Sequence, residues 1–137
     1  MKKYNILAVD NCRMFLNVLS SFLKETQYEI TGTNSGTDAL NLLQWHGHRP
    51  DLFLLDIEMP EMSGYELAKK IRGRGQIAPI IFLSDNAAKE CAVQALKAGA
   101  VDYIVKPVNM EVLFERMGRQ IQKMEKPSLF HEKNKVI

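Results

Sequence analysis

Short, continuous apolar runs alternate along this chain with longer stretches in which apolar residues recur every three or four positions. Ile6-Leu7-Ala8-Val9 predicts a buried strand. Arg13 to Thr26 predicts a helix with Phe15, Leu19 and Phe22 on one face, and Leu16 and Leu23 widening it. A weaker strand is expected from Glu29 to Thr33, then a helix capped by Ser35 or Thr37 that runs to Trp45 and stops at Gly47. Leu52-Phe53-Leu54-Leu55 predicts a third strand. A Pro/Gly-punctuated loop from Asp56 to Gly64 then leads into a helix that ends near Arg72, with Gly73 and Gly75 stopping it. Ile80-Ile81-Phe82-Leu83 predicts a fourth strand, Ala87 to Ala98 a helix closed by Gly99, and Tyr103-Ile104-Val105 a fifth strand cut off by Pro107. Asn109 is placed to cap a last helix in which Met110, Phe114, Met117 and Ile121 recur at helical spacing.

The pattern is five repeats of strand then helix. Strands that are apolar at every position suit a sheet covered on both faces, and helical crossovers between them make the sheet parallel. The expected fold is therefore α/β, a five-stranded parallel doubly wound sheet of the flavodoxin-like (βα)5 type. In such sheets the working site lies beyond the carboxyl ends of the strands.

Composition narrows the function more by exclusion than by assignment. The 137 residues fit one domain, with 46% hydrophobic and 25% charged residues in the ordinary soluble range. The net charge of +2 is too small to argue for nucleic acid or an anionic membrane. Charge is uneven, since residues 1–115 carry −2 and residues 116–137 carry +4, which reads as a solvated helix end running into a tail. Cys12 and Cys91 have no Cys or His at metal-ligand spacing, and Cys12 is expected to be buried as a small apolar residue. No apolar run approaches membrane-spanning length and the N-terminus lacks a signal-peptide core, so a cytoplasmic protein is expected.

The chemistry gathers at the strand ends. Asp10 and Asn11 follow the first strand, Asp56 the third, Ser84 and Asp85 the fourth, and Lys106-Pro107 the fifth. A parallel fold brings these positions to one edge. Neighbouring carboxylates repel and ask for a counter-cation, and oxygen ligands favour a hard ion such as Mg²⁺. An Asp beside such an ion and a Lys is a plausible nucleophile toward phosphorus, with a Ser hydroxyl available to an oxygen of the transferred group. The bland alternatives are that Asp10 or Asn11, and Ser84, cap the helices that follow them, and that Tyr103 is a half-buried packing residue.

The run Leu54-Leu55-Asp56-Ile57-Glu58-Met59-Pro60-Glu61-Met62-Ser63-Gly64, with the strand-one acid, Ser84 and Tyr103-Ile104-Val105-Lys106-Pro107, resembles the receiver domain of two-component response regulators. The likeness extends over about residues 3–124. It implies a receiver domain over 1–124 and a tail or linker over 125–137. It further implies that Asp56 is the phosphoacceptor, supplied by a histidine kinase or phosphotransfer protein. Asp10, Asn11, Asp56 and the backbone carbonyl of Glu58 would hold Mg²⁺. Lys106 would pair with Asp56 and then with the phosphoryl group, and its bond to Pro107 would be cis, as is common in this family. Ser84 and Tyr103 would act as switch residues that remodel the face made by helix four, strand five and helix five. The resemblance implies a signalling module rather than an enzyme, whose output is a downstream protein or a fused output domain. Weak homodimerisation through the same face is also expected. Nucleic acid and membrane are not expected partners of this domain.

Two positions depart from the family pattern. Asn11 stands where a second metal-binding acid is usual, and Asp85 stands where a small residue usually leaves the phosphoryl path open. They motivate an alternative, a degenerate receiver that acts as a phosphate-independent docking module. A dinucleotide or flavin enzyme is disfavoured because Asp10-Asn11-Cys12-Arg13 is acidic and lacks glycine. An aspartate-based phosphohydrolase is disfavoured because Cys12 stands where its second Asp would be.

Overall fold

The computed structural model describes residues 2–125. Apart from Glu125, the tail expected over 125–137 lies outside the described residues. Ten elements alternate strictly: β1 (Tyr4–Val9), α1 (Arg13–Leu23), β2 (Tyr28–Thr33), α2 (Gly36–Trp45), β3 (Leu52–Asp56), α3 (Gly64–Gly73), β4 (Ile80–Ser84), α4 (Lys89–Lys97), β5 (Asp102–Val105) and α5 (Met110–Glu125). The five strands form one sheet in the order β2-β1-β3-β4-β5, with every pairing parallel. This is the predicted doubly wound architecture.

Strand alternation divides the core in two. Leu7, Val9, Phe53, Leu55 and Phe82 pack against Leu40 and Leu43 of α2, Leu67 and Ile71 of α3, and Ala95 of α4. Ile6, Ala8, Leu52, Leu54, Ile81, Leu83 and Ile104 pack against Leu19 and Leu23 of α1 and Leu113, Met117 and Ile121 of α5. Every residue of β3 and β4 is buried, which is why both strands are apolar throughout until the acid or hydroxyl that ends them.

The helix boundaries differ from expectation where the backbone turns. α1 stops at Leu23 rather than Thr26, because Glu25 takes a left-handed conformation (φ 68°) and the Thr26 hydroxyl donates to the Leu23 carbonyl. Phe22 lies at the margin of the buried face of α1 rather than within it; it is 42% exposed and meets the Phe114 ring of α5 edge-on. Ser35 caps α2 by accepting from the Asp38 amide, and Asn109 accepts from the Glu111 and Val112 amides at the start of α5. α3 starts with a capping box between Ser63 and Glu66, the Ser-x-x-Glu spacing that marks a helix start independently of apolar periodicity.

Gly118 is the one interior glycine of α5, and a Cβ there would meet the Tyr28 hydroxyl at an ordinary 3.8 Å. Gly118→Ala therefore removes backbone entropy from the unfolded chain without a clash. It is expected to stabilise the fold by about 0.5–1 kcal/mol, seen as a higher urea midpoint at unchanged m-value.

Candidate functional site

The sheet order reverses between β1 and β3, so their carboxyl ends flank the topological switch point. Asp10 follows β1 there and Asp56 ends β3; each is only 1% exposed. The Asp10 amide donates to the Thr33 carbonyl, and its Oδ1 accepts from the Cys12 amide at 2.9 Å. Asp10 thus shapes the turn into α1, whose N-cap position belongs to Cys12. Lys106, just past β5, extends its ammonium between the two acids, 2.9 Å from Asp10 Oδ2 and 3.4 Å from Asp56 Oδ1. Its backbone amide is fixed by the Ser84 carbonyl at 2.8 Å, the peptide bond to Pro107 is cis, and its Nζ lies 5.6 Å from the centroid of the Phe15 ring.

The site is under-neutralised. Two buried carboxylates share one ammonium, and Asp10 Oδ2 has no hydrogen-bond partner beyond that ion pair. Burial pushes the Asp56 carboxyl up to about 6, and the Asp10 charge adds to the rise while Lys106 opposes it. For Lys106, burial disfavours the charged form, but the hydrogen bond and charge of Asp10, then those of Asp56, outweigh it and hold the ammonium above its ordinary value. Such a donor set fits a hard divalent cation that keeps much of its water, since its protein ligands would be oxygens and its charge would relieve the pair. Asn11 beside them is exposed, and among the described residues no group of three or more His, Cys, Asp or Glu gathers for a metal.

Ser84 is fully buried at the end of β4, about one loop away from the start of α4. It does not cap that helix, whose N-cap position is Ala88; its Oγ instead accepts from the Asn86 amide at 3.0 Å and donates to Glu58 Oε2 at 2.6 Å. The Glu58 amide donates to Asp56 Oδ1 at 3.3 Å, and its side chain crosses to β4–α4. That crossing has no signal in residue spacing. Asp85 is exposed, as is Cys12, which corrects the expectation that the thiol is buried: the turn from Asp10 into α1 leaves it outside both cores. Tyr103 lies half-buried on β5 against the α2–α3–α4 side, with its hydroxyl donating to the Asn86 carbonyl at 2.5 Å. A separate groove of about 410 Å³ between α1 and β2 is lined by Arg13, Asn17 and Asp38 but by none of the strand-end acids.

A doubly wound five-stranded sheet with an Asp pair and a Lys at its switch point defines a receiver-type signalling domain. The chain matches the response regulator receiver domain family over residues 6–118 and belongs to that family. It is 36% identical over 108 residues to the two-component response regulator ARR10 of Arabidopsis thaliana, covering 79% of this chain and 19% of that protein. The rice (Oryza sativa subsp. indica) two-component response regulator ORR22 is 37% identical over 108 residues, covering 79% of this chain and 15% of its own length. The chain thus spans less than a fifth of these relatives. Among solved structures, a CheY-like receiver domain from Methanospirillum hungatei superposes with a TM-score of 0.81 at 29% identity, covering 90% of this chain and 98% of that one. The chemotaxis protein CheY4 of Vibrio cholerae gives 0.77 at 29%, covering 85% and 98%. Among the described residues, no helix is long and apolar enough to cross a membrane.

Proposed function

We propose that this receiver domain is the phosphoacceptor module of a two-component or phosphorelay pathway, with Asp56 as acceptor and a histidine kinase or phosphotransfer protein as donor. The observation that carries the reading is the buried Asp56 carboxylate set beside Asp10 and the Lys106 ammonium at the switch point. An Asp56 oxygen attacks the phosphorus of a phosphohistidine. The P–N bond breaks with its electron pair left on the imidazole nitrogen, and the new P–O bond makes an acyl phosphate. Lys106 balances charge on the phosphoryl oxygens. Asp10, Asn11, Asp56 and the Glu58 carbonyl would hold Mg²⁺, which when bound adds charge neutralisation on the same oxygens. Water attack on the phosphorus later releases inorganic phosphate and restores the carboxylate.

Ser84 then turns toward the phosphoryl group and Tyr103 moves inward, changing the face of α4, β5 and α5. Val93, Leu96, Val105 and Val112 are exposed on those elements, which suits a downstream protein, a fused output domain or a weak homodimer. The exposed Asn11, which brings no charge beside Asp10 and Asp56, is the observation behind the second reading, a phosphate-independent docking module.

The two readings separate by intact mass after incubation with a small-molecule phosphodonor, with and without Mg²⁺. A Mg²⁺-dependent gain of one phosphoryl group is expected in the parent and not in Asp56→Asn. No gain, together with no Mg²⁺ binding by calorimetry, would leave the docking module as the function.

A further inference from the structure

The loop after β4 is held by a carboxylate that belongs to the loop after β3. Glu58 Oε2 accepts from the Ser84 hydroxyl at 2.6 Å, and Glu58 Oε1 accepts from the Asp85 amide at 2.8 Å. One carboxylate thus takes two neighbouring donors, an arrangement that suits any anion with two oxygens to offer. A serine has a single O–H, so while Glu58 holds it Ser84 has no proton for another acceptor. The contact continues outward, because Ser84 Oγ accepts from the Asn86 amide and the Asn86 carbonyl accepts from the Tyr103 hydroxyl at 2.5 Å. Glu58, Ser84, Asn86 and Tyr103 therefore form one connected line from the mouth of the acid pocket to the β5 surface.

We propose that the Glu58 carboxylate is a built-in competitor of the phosphoryl group, holding Ser84 and the Asp85 amide in the resting arrangement and releasing them when Asp56 is phosphorylated. The inference rests on the reading of Asp56 as acceptor. The displacement has a physical cause on both sides. A phosphoryl group on Asp56 places new negative charge beside Glu58, whose own amide is bonded to Asp56 Oδ1, and like charges at that range repel. Glu58 is exposed, so water can take over its carboxylate once it leaves. The Glu58 carboxylate, unlike its backbone amide, touches none of the reacting atoms. It is a positioning residue acting through Ser84, and it makes the resting state of this chain more resistant to phosphorylation than the Asp56, Asp10 and Lys106 arrangement alone would.

The test uses the full chain and three variants: Glu58→Ala, which removes the carboxylate, Glu58→Gln, which keeps its shape, and Glu58→Asp, which keeps the charge one methylene short of Ser84. Two quantities are read: hydrogen exchange of the Asp85 and Asn86 amides in the resting protein, and the rate of phosphorylation by a small phosphodonor with Mg²⁺. Faster exchange is expected in Ala and Asp, with phosphorylation accelerated about fivefold in both and by less in Gln, because the competent Ser84 population rises. Acceleration in Ala with Asp at the parent rate would reduce the effect to bulk charge and overturn the proposal. Unchanged or slower phosphorylation in Ala would make the contact a simple loop staple and overturn it equally. A parent that takes no phosphate at all refutes the acceptor reading itself and the proposal with it.

Discussion

Gly64→Ala is expected to destabilise the domain by about 3 kcal/mol, lowering the thermal midpoint by roughly 10–15 °C. A Cβ at residue 64 would stand 2.4 Å from the Asp56 carbonyl oxygen and 2.9 Å from Ile57 Cα. Both are backbone atoms of the strand end that carries the Asp56 carboxylate, so neither can rotate aside. The Gly64 amide also donates to the Ile57 carbonyl at 3.0 Å, which sets how closely α3 begins to β3. Relief requires α3 to lift off the strand, and that movement pulls at Leu67 and Ile71, both buried in the core. It also shifts Asp56 relative to Lys106, whose 3.4 Å contact has little slack. Calorimetry of Gly64→Ala beside Gly118→Ala is the informative pair, since both make the same chemical change and opposite signs are expected. A Gly64→Ala protein as stable as the parent would mean that the strand–helix junction is looser than this packing implies.

The fold was legible because burial on both faces writes itself as unbroken apolar runs, and β3 and β4 are the clearest of these. Asp10, Asp56, Ser84 and Lys106 were legible for a related reason: each marks where such a run ends, and a parallel sheet places all those ends at one edge. What the pattern could not reach were contacts made by side chains between loops. Nothing in the position of Glu58 distinguishes a carboxylate facing solvent from one bonded to Ser84 and the Asp85 amide. Phe22 shows the same limit in the core. Helical spacing puts it beside Leu19 and Leu23, but the width of the buried stripe depends on where α5 lies, and Phe114 meets Phe22 at its edge. Cys12 is exposed against expectation because small apolar character is only a tendency toward the core, and this residue heads a helix at the rim.

In metal-free protein near pH 7.5, Asp56→Asn is expected to be more stable than the parent by on the order of 2 kcal/mol. The folded carboxyl titrates at about 6 against an ordinary 3.8, chiefly because it is buried and secondarily because Asp10 is charged beside it. Between those values the folded chain holds a proton that the unfolded chain has released. Stability from this group is thus greatest below about pH 4 and declines as pH rises through 6, above which the penalty of the buried charge is fully present. Asparagine carries no such charge, so the difference between the two proteins should be near zero at pH 4 and grow to its plateau by pH 7. Taking the difference cancels every other group that titrates over this range, provided Lys106 keeps its contact with Asp10 in both. Mg²⁺ should narrow the gap from the parent's side, because an ion that binds the ionised pair stabilises the fold by mass action and has less to gain from the variant. Urea denaturation at pH 4 and 7.5, with and without Mg²⁺, reads all four values. A gap that is the same at both pH values would mean that the Lys106 ammonium already neutralises Asp56, and a pocket so balanced would have no electrostatic need for a cation.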